Sequence, residues 1–501
     1  MTEAAAPEPG NLGKLFRHID PAREAVLDLG GQTPRRLTYG QLDGLADAAA
    51  RGLAELGLER GQRFAIAALN RLEYLALLLG ALRAGIVPVL INVKLGRDAI
   101  DHILADSGAR LLFAEPAFAH FAAGRLPVVD LEAEFEGFLR PGPFQAVEVA
   151  PGDESLLPYT SGTTGKPKGV RLHHGGQGWA TRALVAHRRL RADDRILISA
   201  PFYHKNALVA LKTALFPGAT ILILPRFDAA ATIAAIADHG CTMVTGVPTM
   251  MSLLLRDPAL AAADRTRVRV VSMGSSPASD QLLADLGQAF PNAEIHLNYG
   301  STEGGPIMFG WYHPEGKPRP PHSIGYPIPG CEYRLEGGPD PDQGELWVRN
   351  PGIAHGYLNL PEATARRFQD GWYRTSDILR RDADGWFHFL GRVDDMFVCG
   401  GENVYPQEVE GLLERHPDVR QAAVLSVPHP TKGAVPVAFV VPQSGRGVDE
   451  AALKAFALAN GPAYAHPRRI HFVDGIPLTG TNKIDRAALL ARAGQDHGDT
   501  P

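Results

Sequence analysis

The chain has little cysteine and none spaced for chemistry: Cys241, Cys331 and Cys399 are odd in number, scattered, and lack the separations of a metal site. Each reads as a small buried hydrophobe, and a reducing, cytoplasmic setting follows. Charge of one sign is also lacking. The 501 residues carry a formal charge of -5 and no basic tail, which removes any overall attraction to nucleic acid or to an anionic membrane. No apolar run is clean enough to span a bilayer. The most apolar stretch, residues 74–91, holds Gly80, Arg83, Gly85 and Pro88, so a buried helix followed by a strand suits it better. Residues 1–10 show no basic region leading into an apolar one, and no signal peptide is expected. Repeats of solenoid period and long low-complexity linkers are missing too. What composition supports is a globular chain of two to four domains or subdomains, 45% hydrophobic and 21% charged.

Hydrophobic periodicity predicts alternating helices and strands over the first three-fifths of the chain. Thr38 caps a helix that puts Leu42, Leu45, Ala46, Ala49, Leu53 and Leu56 on one face, and Gly57 ends it. Residues 64–69, 72–84 and 86–91 then form a strand, helix, strand unit. Residues 195–200, 219–224, 242–247, 268–273 and 294–297 read as strands buried on both faces, with helical spacing at 207–216, 228–239 and 278–289. The fold class is therefore α/β, with parallel sheets layered by helices. After about Gly330 the texture becomes β-rich and punctuated by Gly and Pro, which predicts hairpins and a small antiparallel or barrel-like unit. Beyond Arg392 a smaller α+β segment follows.

Chemistry concentrates in residues 159–169. Gly162, Gly165 and Gly169 let the backbone bring N–H groups up to an anion, while Thr160, Ser161, Thr163, Thr164, Lys166 and Lys168 add donors and positive charge. The P-loop pattern is excluded, because Pro167 follows Lys166 and the next residues suggest a strand instead of a helix. A surface turn of the same composition is the plain alternative.

Four further segments decide between the two readings. They are residues 298–303 (Asn298, Tyr299, Gly300, Ser301, Thr302, Glu303), 373–377 ending in Asp377, 391–406 with Arg392, Asp394, Gly400 and Gly401, and 477–483 ending in Lys483. Together with 159–169, and in this order, they resemble the motifs of the adenylate-forming superfamily: acyl- and aryl-CoA synthetases, peptide-synthetase adenylation domains and beetle luciferases.

That resemblance implies a large N-terminal domain (residues 1–393) and a smaller, mobile C-terminal domain (394–501) hinged at Asp394. It implies ATP, Mg²⁺ and coenzyme A as cofactors and a small carboxylic acid as substrate. Lys483 would bridge the acid and the α-phosphate. Thr302 and Glu303 would touch that phosphate, with Glu303 holding the metal, and the 160–168 loop would grip the outer phosphates. Asp377 would accept from both ribose hydroxyls with Arg392 in support, and Gly274, Ser275, Ser276 and Pro277 would flank an adenine stacked on Tyr299. Ser376 and Asn482 depart from the pattern, standing where relatives carry glycine. Gly400 and Gly401 suit a narrow pantetheine tunnel; a tight β-turn is nearly as good a reading of the pair and does not exclude the first.

The resemblance places the acyl pocket at Tyr203, His204, Lys205, Val247, Ser275 and 297–304 including Gly304, with His204 also among the catalytic candidates. An aspartate near Tyr203 that would anchor an amino acid is missing, and only 18 residues follow Lys483, too few for a carrier segment. Both favour coenzyme A as acceptor. Lys205 and Asn206 are unexpected beside an apolar pocket: they meet a polar group on the acid, or Lys205 turns outward to coenzyme A or solvent. The outward direction is preferred, because an unpaired buried ammonium is costly. The expected activity is an AMP-forming carboxylate–CoA ligase of a small, hydroxylated or aromatic acid, acting as monomer or homodimer. An acyl-AMP ligase serving a separate carrier, and a non-catalytic nucleotide-binding protein, are the alternatives.

Overall fold

A computed structural model describes residues 10–161, 166–276, 278–320, 323–443, 447, 449–477 and 484–495. Thr38 caps helix α1 (Tyr39–Glu55) through a capping box with Gln41, and Gly57 takes the left-handed conformation just beyond it. Helix α2 (Leu72–Ala84) is buried along its whole length. Its one basic residue, Arg83, is fully enclosed and held by Asp43 at 2.5 Å and Asp47 at 2.6 Å, which is how a guanidinium survives inside an apolar run. No helix among the described residues is long and apolar enough to cross a membrane. All three cysteines are free and buried.

The flanking strands Arg63–Ala67 and Val87–Leu90 pair in parallel, which makes the expected strand, helix, strand unit. They belong to a seven-stranded sheet that ends in β1 (Glu154–Ser161) and its antiparallel partner β2 (Pro167–Gly169). A second, larger sheet contains β3 (Arg195–Ile198), β4 (Thr220–Ile223), β5 (Met243–Gly246), β6 (Val270–Gly274) and β7 (Glu294–Ser301), parallel to one another in the spatial order β4-β3-β5-β6-β7. The first four are almost wholly buried. Strand β7 is not, because it runs past the end of β6 into a crevice, and its last four residues stay partly open.

The β-rich part differs from its sequence reading. It begins at β8 (Gly305–Trp311), before Gly330, and does not stand apart: β8 pairs antiparallel with β7, so the path continues through Ser323–Pro327 into the strands that follow, all within one sheet of fourteen strands among the described residues. Among these are β9 (Trp372–Arg381) and β10 (Phe387–Arg392). Composition marks where hairpins are dense, whereas continuity through β7 depends on one strand changing partner orientation along its length.

The C-terminal residues form a separate five-stranded sheet with cores of their own around Val409, Leu413, Val424 and Ala438, and around Phe439 and Leu489. Its first hairpin joins β11 (Phe397–Cys399) to β12 (Glu402–Val404). The chain is thus a large N-terminal α/β domain followed by a smaller α+β one.

Candidate active site

Ligands of parallel α/β sheets lie in the crevice beyond the carboxyl ends of the strands. Those of β3, β5, β6 and β7 bring residues 201–206, Val247, 274–276 and 298–304 to one edge. Gly274 is packed so that a Cβ would lie 2.9 Å from the Asn298 carbonyl oxygen, which explains its glycine. Ser275, in the left-handed region, turns the chain outward. Pro277 lies outside the described residues.

The phosphate-type run forms the β1–β2 hairpin, with Thr160 opposite Lys168. Gly162, Thr163, Thr164 and Gly165, and the side chain of Ser161, lie outside the described residues; Lys166 follows them at an exposed bend. Thr160 Oγ1 donates to Glu303 Oε1 at 3.2 Å, and Tyr357 Oη donates to the same oxygen at 3.3 Å. Lys168 Nζ sits 5.3 Å from the centre of the Tyr357 ring. Burial and then the Glu303 carboxylate raise the Tyr357 phenol above its ordinary range, so it remains a donor. Thr302 and Glu303 occupy the turn between β7 and β8, closed by Ser301 Oγ accepting from Gly304 N at 2.8 Å. Tyr357 was not among the sequence candidates. It carries no glycine- or lysine-rich signature; main-chain contacts distant in sequence bring it here, the pairing of Val170 with Tyr357 and the bond from Ala354 N to Glu303 O at 2.8 Å among them.

A second cluster forms on the other side of Gly300. Tyr299 Oη donates to Asp377 Oδ2 at 2.5 Å and Arg392 Nη1 donates to Asp377 Oδ1 at 2.5 Å. Burial, then the Asp377 charge, pushes the Tyr299 phenol well above the usual tyrosine value. The Asp394 Oδ2 oxygen meets Arg392 at 3.3 Å and Arg367 at 3.5 Å, so both guanidinium groups converge on the expected hinge residue. Arg367, absent from the sequence candidates, also donates to Ser376 Oγ. Ser376 has φ of 61°, the left-handed region, which is why glycine is usual there and why serine, tied by its hydroxyl, can replace it.

Tyr203 is buried, with its phenol pushed up to about 12 by burial, and its ring meets that of His204 edge-on at 4.7 Å. Lys205 does not turn outward. It opens helix α3 (Lys205–Leu215), is only partly exposed, and donates through Nζ to the Gly300 carbonyl at 2.6 Å. A main-chain acceptor within reach of the crevice makes the inward position favourable, which sequence alone could not supply. Asn206 Nδ2 donates to Gly246 O at 2.9 Å. Val247, partly buried, caps helix Pro248–Arg256 beside it. Gly304 is enclosed: a Cβ would lie 2.8 Å from Met308 Sδ and from the Tyr373 ring.

Gly400 and Gly401 form the two-residue loop between β11 and β12, both at positive φ (63° and 94°), and no atom of the described residues lies within 4 Å of where either Cβ would be. That is the β-turn reading. Lys483 and Asn482 lie outside the described residues, although Asp485 N donates to Pro477 O at 2.8 Å across the segment that holds them.

Comparison with known proteins gives the family of the chain. The family model of the AMP-binding enzyme matches residues 17–358, and that of the AMP-binding enzyme C-terminal domain matches 408–483. The chain belongs to the AMP-binding enzyme family. Among members, it is similar to the feruloyl-CoA synthase of Amycolatopsis sp (36% identical, covering 91% of this chain and 94% of that one). It is also similar to the indoleacetate–CoA ligase of Aromatoleum aromaticum (33% identical, 95% and 98%). In structure it matches ATP-bound MatB from Rhodopseudomonas palustris with a TM-score of 0.89 at 28% identity, covering 96% of this chain and 98% of that one. Within the AMP-binding fold, the Thr160–Glu303–Tyr357 cluster and the Tyr299–Asp377–Arg392 cluster flank one short stretch of β7, an arrangement suited to opposite ends of an elongated polar ligand.

Proposed function

We propose that this AMP-binding enzyme is an AMP-forming ligase that activates an aryl or aryl-alkyl carboxylic acid with ATP and transfers the acyl group to coenzyme A. The observation that carries the reading is the flanking of Gly300 by the two clusters: hydroxyl and lysine donors with a carboxylate on one side, and an acceptor-only aspartate on the other. The named activities of the feruloyl and indoleacetate relatives supply the acid and the thiol.

Acyl transfer from a free carboxylate would have to expel oxide, so AMP serves as the leaving group. Bringing a carboxylate against a triphosphate costs several kcal/mol of repulsion at low effective dielectric, and the site must supply cations and aimed donors. A carboxylate oxygen attacks the α-phosphorus as the bond to pyrophosphate breaks. In this reading Lys483 neutralises the two reacting groups, Thr302 contacts the α-phosphate, and Thr160, Lys166 and Lys168 hold the departing pyrophosphate. The Glu303 carboxylate and its hydroxyl neighbours are hard oxygen donors that fit Mg²⁺, an ion usually bound through one or two carboxylates plus substrate phosphates. When bound, Mg²⁺ neutralises phosphate charge. Asp377 accepts from the ribose hydroxyls, held in place by Tyr299 and Arg392. Adenine lies between 274–277 and the Tyr299 ring.

The thiol sulfur then attacks the acyl carbon and AMP leaves. That step requires the domains, divided at 393/394, to rotate about Asp394, taking Lys483 away and bringing Gly400 and Gly401 to the pantetheine path. The enzyme works in the cytoplasm as a monomer or homodimer. A panel of aryl and aliphatic acids, assayed for AMP and pyrophosphate release with and without coenzyme A, tests the reading. Thioester formation with at least one aryl acid is expected. Adenylate release that never depends on coenzyme A would replace the ligase by an acyl-AMP-forming enzyme.

A further inference from the structure

Helix Arg97–Ser107 buries Ile100, Ile103 and Leu104 in the core against the seven-stranded sheet, which gives it a fixed seat. His102 and Asp106, four positions apart, are neighbours on its surface. Both reach the β1–β2 hairpin. His102 Nε2 donates to the Pro167 carbonyl at 3.1 Å, on β2. On β1 side chains alternate, so where Thr160 turns toward Glu303 its neighbour Tyr159 turns the other way, and its phenol donates to Asp106 Oδ2 at 2.7 Å. The Tyr159 ring crosses the hairpin to get there: a Cβ on Gly169 would stand 2.9 Å from it, which gives the last glycine of the run a packing reason.

The other oxygen of Asp106 has a different partner. Asn359 Nδ2 donates to Oδ1 at 3.1 Å and to the Asp106 main-chain carbonyl at 3.0 Å. Between Asn359 and Tyr357, Leu358 N donates to the Gly169 carbonyl at 2.8 Å. One carboxylate thus ties Tyr159, next in sequence to Thr160, to Asn359, two residues from Tyr357. Thr160 and Tyr357 supply the two hydroxyls that meet on Glu303 Oε1, at 3.2 and 3.3 Å. Those bonds are long for hydroxyl donors, so a shift of the two segments by a few tenths of an ångström would break them.

We infer that Asp106 is a positioning residue for the outer phosphates of ATP, acting through Tyr159 and Asn359 to hold Thr160, Lys168 and Tyr357 as one cradle. The inference rests on the ligase reading above, which puts those phosphates at this cluster and the ribose at Asp377. The test measures dissociation constants of the full chain for ATP with Mg²⁺ and for AMP, without acid or coenzyme A, in the wild type, Asp106→Ala, Asp106→Asn and Tyr159→Phe. AMP lacks the outer phosphates, so it reports on the rest of the site and on folding. Asp106→Ala is expected to weaken ATP by about 2- to 30-fold, the range for substitutions that act through their neighbours, and to leave AMP unchanged. Tyr159→Phe keeps the ring and removes only the hydroxyl, and should weaken ATP in the same selective way. Asp106→Asn, whose carboxamide oxygen still accepts from Tyr159, should keep most of the wild-type affinity. Equal weakening of ATP and AMP would reduce Asp106 to a fold contact and overturn the inference, as would ATP affinity untouched in both Asp106→Ala and Tyr159→Phe. A wild type that binds neither nucleotide would instead bring down the ligase reading.

Discussion

At the scale of single residues, two positions carry measurable consequences away from the reacting atoms. Ser376 adopts φ of 61° next to the ribose-type aspartate, where a β-branched side chain is poorly accommodated. Ser376→Val should lower stability by about 1–3 kcal/mol, the cost of such a backbone state, whereas Ser376→Gly should be nearly neutral. Thermal unfolding of the two variants side by side checks this. His187 is enclosed, stacks on Trp311 at 4.7 Å, and among the described residues neither ring nitrogen has a hydrogen-bond partner. Burial, then nearby His296 and Arg188, lowers its titration to about 3 from an ordinary 6.5, so the unfolded chain binds a proton that the folded chain refuses. Its contribution is complete above 6.5 and is lost as pH falls toward 3. Between pH 7 and 5 this one group should remove on the order of 2 kcal/mol. His187→Phe should flatten the acid limb of a stability–pH curve; a variant with the same acid slope as the wild type would show that other groups set it.

At the scale of elements, much was legible because local rules agree with the fold. The Thr38 cap and the left-handed Gly57 bound α1 as its sequence suggests, and α2 spans the predicted 72–84. The parallel strands were legible because burial on both faces leaves continuous apolar runs, as in Val270–Gly274. What stayed hidden depends on partners distant in sequence. The antiparallel strands read as a separate unit until β7 is seen to pair with β6 on one side and β8 on the other. Lys205 read outward because its acceptor, Gly300, is ninety-five positions away. Tyr357 joins the site through Glu303 and Lys168, and Arg367 through Asp394 and Ser376, and no local pattern announces such contacts. The same distinction gives a prediction for the α1–α2 contact. A Cβ on Gly80 would stand 2.8 Å from Ala49 Cβ and 2.9 Å from the Ala46 carbonyl oxygen, so the helices touch at a spacing that only glycine allows. Gly80→Val should overpack this contact and cost about 1–3 kcal/mol, read as a lowered unfolding midpoint.

At the scale of the whole molecule, the proposed reaction asks one pocket to serve two steps with different needs. Under that proposal adenylation would need Lys483 beside the phosphates and thioester formation would need room for a thiol, and two orientations of the C-terminal domain would meet both. At the proposed connection between the domains, Asp394 lies in the turn just after β10, and its carboxylate faces Arg392, which also grips Asp377, and Arg367, which grips Ser376. Asp377 and the connecting turn thus share one guanidinium; with nucleotide at Asp377 as proposed, this would be a physical route coupling release of pyrophosphate to reorientation. Two substitutions separate the steps. Lys483→Ala should slow adenylation by on the order of 10² to 10³, the scale of removing one charge-stabilising donor, while supplied acyl-adenylate still reacts with coenzyme A. Asp394→Pro should do the reverse, since a fixed φ restricts the dihedral change on which rotation depends. Isotope exchange between ATP and pyrophosphate should then continue near the wild-type rate while thioester formation falls. If Asp394→Pro slowed both steps alike, the turn would be holding the nucleotide in place and the axis of movement would lie elsewhere in the chain.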